Sequence, residues 1–233
     1  MRQIFLDTET TGLYASNGDR IIEIGCVELV NRKLTGNNLH FYLNPGRESH
    51  EEALRVHGIT SAFLRDKPQF DAIVADLLGY VKDAEIIIHN APFDLGFLNV
   101  ELELSGHRPF RDQVATVVDS LAMAKEMFPG KRNSLDALCD RLGVDRSGRS
   151  LHGALLDAQL LADVYIHLTR GQDALVMDVE PVDHAALAVA EVDLRVFDLP
   201  VLKANAKELA EHEEVINQID KSSAGKAVWR KVT

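Results

Sequence analysis

Cysteine is nearly absent: Cys26 and Cys139 are the only two in 233 residues, each in an apolar-periodic stretch and neither in a C-x-x-C pair. That argues against a disulfide-stapled scaffold, and a reducing compartment is expected. Long apolar runs are missing as well. Met1-Arg2-Gln3-Ile4-Phe5-Leu6-Asp7 reaches a carboxylate before a signal-peptide apolar region could form, and no stretch approaches membrane-spanning length. The chain is therefore expected to be cytoplasmic. Positive charge is in deficit, 25 Lys and Arg against 36 Asp and Glu for a formal net charge of -11, so the basic footprint that grips phosphate backbones is lacking. What is present is ordinary for a globular protein: 46% hydrophobic and 26% charged residues, enough for one sizeable core plus a tail.

Residues 4–6, 20–30 and 39–44 read as three strands, the second carrying Ile21-Ile22-Glu23-Ile24-Gly25-Cys26-Val27, with a turn over 31–38. Residues 70–81 place apolar side chains at helical spacing and feed Glu85-Ile86-Ile87-Ile88-His89, a buried strand. Helices are expected over 93–104, 120–128, 134–142 and 153–169, and a further buried strand over 114–118. Strands first, then helix and strand in alternation, point to an α/β fold: a mixed five-stranded sheet with helices on both faces. Beyond Gly171 an acidic stretch containing Pro181 reads as a linker. The expected organisation is a folded domain over 1–171, a linker over 172–192 and a C-terminal segment over 193–233.

Acids gather at the ends of these elements. Asp7 and Glu9 sit two residues apart at the end of the first strand, where a period of two points both to one side. Alone, that pair also fits turn chemistry. Asp94 closes His89-Asn90-Ala91-Pro92-Phe93-Asp94, where strand passes to helix, and alone it fits a helix cap. His152 precedes the last long helix and Asp157 lies inside it, so both can face one cleft. Singly, they fit a surface histidine and a solvated helix acid. Together the four carboxylates and the histidine suit phosphodiester hydrolysis by two divalent cations, one activating water and the other stabilising the leaving oxygen. Carboxylates suit Mg²⁺ or Mn²⁺, and the lack of a His/Cys ligand set argues against zinc. A glycosidase-like carboxylate pair would explain neither four acids nor the histidine.

Asp7-Thr8-Glu9-Thr10-Thr11-Gly12-Leu13, Asn90-Ala91-Pro92-Phe93-Asp94 and His152-x4-Asp157 resemble the three exonuclease motifs of the DEDDh superfamily. Similarity continues through Arg20-Ile21-Ile22-Glu23-Ile24-Gly25, Val56-His57-Gly58-Ile59 and Met127-Phe128-Pro129-Gly130-Lys131-Arg132-Asn133-Ser134-Leu135. Over roughly the first 171 residues the chain resembles the proofreading exonucleases of bacterial replicative polymerases. The resemblance implies a ribonuclease H-like fold and 3′-to-5′ exonuclease activity on DNA. It implies that Asp7 bridges two metals, Glu9 and Asp157 complete one site, Asp94 supports the other, and His152 is the general base. Glu52 and His57 would join Asp7, Glu9 and Asp157 in contacting the terminal nucleotide, with residues 8–13 holding the 3′ end. Without the resemblance, Glu52 belongs to a charged surface run and His57 to a helix end before Gly58. An unperturbed histidine titrates near ~6.5, so a His152 base implies an activity that rises with pH through that region.

Gln172-Asp173-Ala174-Leu175-Val176-Met177 resembles the Gln-plus-apolar motif that docks on the sliding clamp, although such a hexapeptide also arises by chance. Residues 194–202, the charged helical stretch 203–219 and Trp229 occupy the position where the family binds the polymerase's alpha subunit. A segment this poor in apolar groups is expected to fold on its partner. Tethering, together with metal ions held by carboxylates, would answer the missing basic footprint. Two rivals remain. One is an RNA-trimming member of the same superfamily, which would need no such extension; the other is a non-catalytic scaffold between polymerase and clamp, against which the intact motifs speak.

Overall fold

The computed structural model describes residues 1–147, 151–170 and 204–223. Two units divide the chain, Met1–Met177 and Asp178–Thr233. The first carries one sheet of strands β1 (Arg2–Thr10), β2 (Ile21–Val30), β3 (Lys33–Leu34), β4 (Leu39–Tyr42), β5 (Glu85–Ile88) and β6 (Thr116–Asp119). Its helices are α1 (Glu51–His57), α2 (Ser61–Leu64), α3 (Phe70–Val81), α4 (Ala91–Leu104), α5 (Ser120–Met127), α6 (Leu135–Leu142) and α7 (Ala154–Leu168).

The sheet runs β3-β2-β1-β5-β6, with β4 also paired to β2. β2 is antiparallel to β1, β3 and β4, whereas β1–β5 and β5–β6 are parallel. Five strands are the expected ones, and β3 is an addition inside the stretch read as a turn. Asn31 and Arg32 both take positive φ, 50° and 63°, which makes a tight two-residue hairpin turn. The chain therefore doubles back at once, pairing Lys33 with Val30 and Leu34 with Leu29.

Helices cover both faces. Ile4, Leu6, Ile24, Cys26, Ile86 and Ile88 pack against α3 and α4. α3 forms where expected because Phe70, Ile73, Val74, Leu77 and Val81 make a continuous apolar stripe at helical spacing. On the other face Phe5, Val27, Leu29 and Ile87 meet Ala158, Leu161, Ala162 and Tyr165 of α7. The far side of α7, through Leu160, Val164 and Leu168, packs on Ala124, Leu138 and Cys139 of α5 and α6. Strand alternation then decides where the acids go: residues 5, 7 and 9 of β1 share the α7 face, and residues 4, 6 and 8 the α3/α4 face.

In the second unit, α8 (Ala206–Ser222) realises the helical stretch expected near 203–219. Asn205 Oδ1 accepts the N–H groups of Lys207 and Glu208, and Glu208 returns to the Asn205 N–H, a reciprocal capping box. The expected linker at 172–192, the clamp-like hexapeptide at 172–177 and Trp229 lie outside the described residues. Among the described residues no helix is long and apolar enough to cross a membrane.

Candidate active site

Asp7 and Glu9 occupy the end of β1 on the α7 side. Immediately beyond, the β1–β2 pairing slips between Glu9 and Thr10, the kind of irregularity that re-aims side chains at a strand end. Asp157 lies in the first turn of α7, its N–H on the Gly153 carbonyl at 2.9 Å. His152 precedes that turn, with Nδ1 3.3 Å from Asp157 Oδ2. Glu9, His152 and Asp157 each offer one ligand atom, and these atoms lie within 4.8 Å of one another. Glu9 is 9% and Asp157 4% exposed, and buried carboxylates held this close call for a compensating cation. The donor set therefore fits a divalent metal. Asp7 and Asp94 stand outside this group of three.

Asp94 arrives from α4. Asn90 takes the left-handed conformation, φ 70°, and turns the chain from β5 into a helix that starts at Ala91 with Pro92 in its first turn. The helix thus begins two residues before the expected 93, and Asp94 lies inside it instead of capping it. Its carboxylate accepts the Thr8 hydroxyl at 2.7 Å. Burial pushes the Asp94 carboxyl up to about 7 against the lowering pull of the Thr8 hydroxyl, with Asp119 adding to the rise.

A cleft of about 860 Å³ opens beside Glu9, lined among others by Leu13, Tyr14, Glu52, His57 and Phe93. Leu13 and Tyr14 are largely exposed and form an apolar lip. Glu52 stands in the exposed first turn of α1. His57 ends that helix, and Gly58 at φ 70° terminates it. The His57 Nδ1 accepts the Ile59 N–H at 2.9 Å, so the proton of the neutral ring sits on Nε2, buried and without a hydrogen-bond partner among the described residues. Burial lowers the His57 pKa and Glu23 opposes it, leaving the ring neutral near pH 7.

The rim depends on a residue that sequence reasoning missed. Asp19, only 2% exposed, accepts from the Thr11 hydroxyl at 3.2 Å and the Tyr14 N–H at 3.1 Å. It also pairs with His50 Nε2 at 3.0 Å and Arg47 Nη1 at 3.2 Å. Burial raises the Asp19 pKa, but these partners outweigh it and the net shift is downward. A Cβ on Gly12 would lie 2.3 Å from Asp19 Oδ2 and 2.4 Å from His50 Cδ2, so a side chain there would have to displace Asp19 or His50. Following Gly18, Asp19 reads in sequence as ordinary turn chemistry; nothing local signals its burial.

The Exonuclease family model, RNase_T, matches residues 4–165. DNA polymerase III subunit epsilon of Pasteurella multocida is 48% identical over 238 residues, covering 99% of this chain and 94% of that protein. The same subunit of Rickettsia prowazekii is 49% identical over 222 residues, covering 94% and 97%. Among solved structures, exonuclease X in complex with 5′ overhanging duplex DNA has a TM-score of 0.57 at 24% identity, over 72% of this chain and 90% of that one. That likeness speaks to the fold, a ribonuclease H-like α/β arrangement. With the family model reaching from within β1 through β6 to most of α7, and relatives near half identical over almost their full length, the chain belongs to the exonuclease family, in the branch of the DNA polymerase III epsilon subunits.

Proposed function

We propose that this cleft removes nucleotides from the 3′ end of a DNA strand, misincorporated ones included, as the proofreading 3′-to-5′ exonuclease of a replicative polymerase. The observation that carries the reading is the convergence of Glu9, His152 and Asp157 at one strand end, in a chain this close to its relatives. A pair of Mg²⁺ or Mn²⁺ ions would be held by Asp7, Glu9, Asp94 and Asp157, supplying positive charge to the scissile phosphate and easing deprotonation of water.

His152 does the proton work. With Nδ1 facing Asp157 at 3.3 Å, Nε2 is the basic nitrogen, and the side chain is 44% exposed and within reach of water. Nε2 takes the proton of the attacking water; the water oxygen bonds to phosphorus as the bond to the preceding nucleotide's 3′ oxygen breaks, releasing a 5′-mononucleotide. The buried Nε2–H of His57 offers a donor to an oxygen of the terminal nucleotide, and Glu52 offers an acceptor across the cleft. Leu13 supplies an apolar surface for the base.

The net charge of -11 supports delivery of the DNA end by a partner over an autonomous grip. That partner is the polymerase III alpha subunit, engaged through residues 193–233, with the sliding clamp engaged through 172–177. The relatives' name, a subunit of DNA polymerase III, supports the first. The test is degradation of a 3′-labelled mispaired primer with Mg²⁺, with and without EDTA, by wild type and Asp157→Ala. Wild type shortens the primer only without EDTA, and the variant is slower by about a hundredfold or more. A contaminant-free Asp157→Ala preparation that degrades the primer at the wild-type rate would sink the reading.

A further inference from the structure

We infer that Glu23 is a positioning residue for His152: it caps the helix that follows His152 and carries Asp157, and holds its first turn on the sheet. Glu23 is an acid within an apolar strand, 2% exposed and directly opposite Glu9 in the β1–β2 ladder. A carboxylate buried there must find partners, and both of its oxygens do. Oε1 lies 2.7 Å from His40 Nε2 on β4, and Oε2 accepts the Ala154 N–H at 3.1 Å.

Ala154 is the first residue of α7, whose N-cap is Gly153, a residue with no side chain to serve as a cap. First-turn N–H groups of a helix need an acceptor. Here it comes from a strand 131 residues away in sequence, and its negative charge suits the positive end of the helix dipole. Two residues along the same face of β2, Gly25 completes the seat. A Cβ there would lie 2.2 Å from Leu155 N and 2.3 Å from the Ala154 carbonyl carbon, so the helix backbone rests directly on the strand. Within Arg20-Ile21-Ile22-Glu23-Ile24-Gly25, Glu23 and Gly25 thus form a seat for α7.

His152 is two residues upstream of the capped N–H. Its own N–H donates to the Val56 carbonyl at 3.1 Å, and its ring faces Asp157. One side of its backbone is pinned by α1, the other by Glu23 through Ala154. Glu23 reaches His152 through α7, and its charge also acts on His57.

The inference rests on the reading of His152 as general base, and a double-mutant cycle separates the two. Single-turnover cleavage of a 3′-labelled single-stranded oligonucleotide with saturating Mg²⁺ is measured for wild type, Glu23→Ala, Glu23→Gln, His152→Ala and Glu23→Ala/His152→Ala. Glu23→Ala slows the maximal rate about 10- to 100-fold, with half-saturating DNA changed less than about twofold. Glu23→Gln, which keeps an oxygen for the Ala154 N–H, stays within about threefold of wild type. In the His152→Ala background Glu23→Ala costs at least about fivefold less than in the wild-type background, because one group on the turn it holds is gone and only the placement of Asp157 remains to be lost. In metal-free protein, hydrogen exchange of the Ala154 amide speeds up about tenfold or more in Glu23→Ala and not in Glu23→Gln. Equal losses in both backgrounds, a Glu23→Gln as slow as Glu23→Ala, or unaltered Ala154 exchange overturns the inference. A His152→Ala rate equal to wild type overturns the general-base reading itself, and the route from Glu23 with it. Should Glu23→Ala not fold, Glu23→Asp carries the same comparison, with charge kept and reach lost.

Discussion

Replacing Gly25 by alanine puts a methyl group where the structure has no room. The new Cβ would lie 2.2 Å from Leu155 N, 2.3 Å from Ala154 C and 2.4 Å from Leu155 Cα. All three are backbone atoms of α7, so no side chain can swing aside. The first turn of the helix has to retreat by roughly 1.2 Å to reach van der Waals contact. It cannot lift freely, because Ala158, Leu161 and Ala162 interlock with the sheet while Leu160, Val164 and Leu168 interlock with α5 and α6. Overpacking of this kind costs about 1–3 kcal/mol. The same displacement carries His152 and Asp157 away from Glu9, and misplacement by about an ångström is worth about a hundredfold in rate. Gly25→Ala is therefore expected to lower the unfolding free energy in urea by about 1–3 kcal/mol and single-turnover cleavage by about a hundredfold. A variant within about 0.5 kcal/mol and twofold of wild type would refute the close seating of α7 on β2.

Two further outcomes are expected. Asp19→Asn destabilises the protein near neutral pH, and its gap from wild type closes in acid. The Asp19 carboxyl is held below its ordinary range in the folded state; its contribution is complete above the unfolded value of about 3.9 and is lost as pH falls through the folded one. Urea midpoints of both proteins from about pH 7 down to about pH 3 check the sign, and a gap that stays constant contradicts it. Thr8→Val takes the hydroxyl donor at 2.7 Å from the buried Asp94 carboxylate, and the loss of one hydrogen bond to a charged group costs about 1.5–3 kcal/mol. In EDTA this appears as a melting temperature lower by several degrees, whereas an unchanged melt removes the Thr8–Asp94 bond from the account of stability.

Much of the fold was legible because periodicity is a local property. α3 lies where its apolar stripe predicts, and β5 is the continuous apolar run of a strand buried on both faces. Boundaries moved where something other than periodicity sets them. α4 starts early because the left-handed turn at Asn90 starts it. β6 begins at Thr116 and not at 114 because its register with β5, Glu85 opposite Thr116, decides where pairing starts. α1 was visible only as a charged run ending at Gly58: Leu54 and Val56 are exposed, so no apolar stripe announces it. Glu23 carried a signal that was not used, an acid inside the run Ile21-Ile22-Glu23-Ile24, where a charge demands a partner.

Residues in sequence determined the element types, the α/β alternation and the five positions proposed to carry the chemistry, 7, 9, 94, 152 and 157. Each is encoded within a few residues, by spacing or by a short motif. Only the tertiary structure decided that Glu9, His152 and Asp157 meet within 4.8 Å, that Asp94 bonds to Thr8, and that buried Asp19 and Glu23 hold the loop and the helix around them. Those facts depend on which strands pair and on a helix settling over a glycine, interactions between segments as far apart as Glu9 and Asp157, 148 residues along the chain. A pattern read along the chain carries no term for such closures, because their partners are chosen by packing.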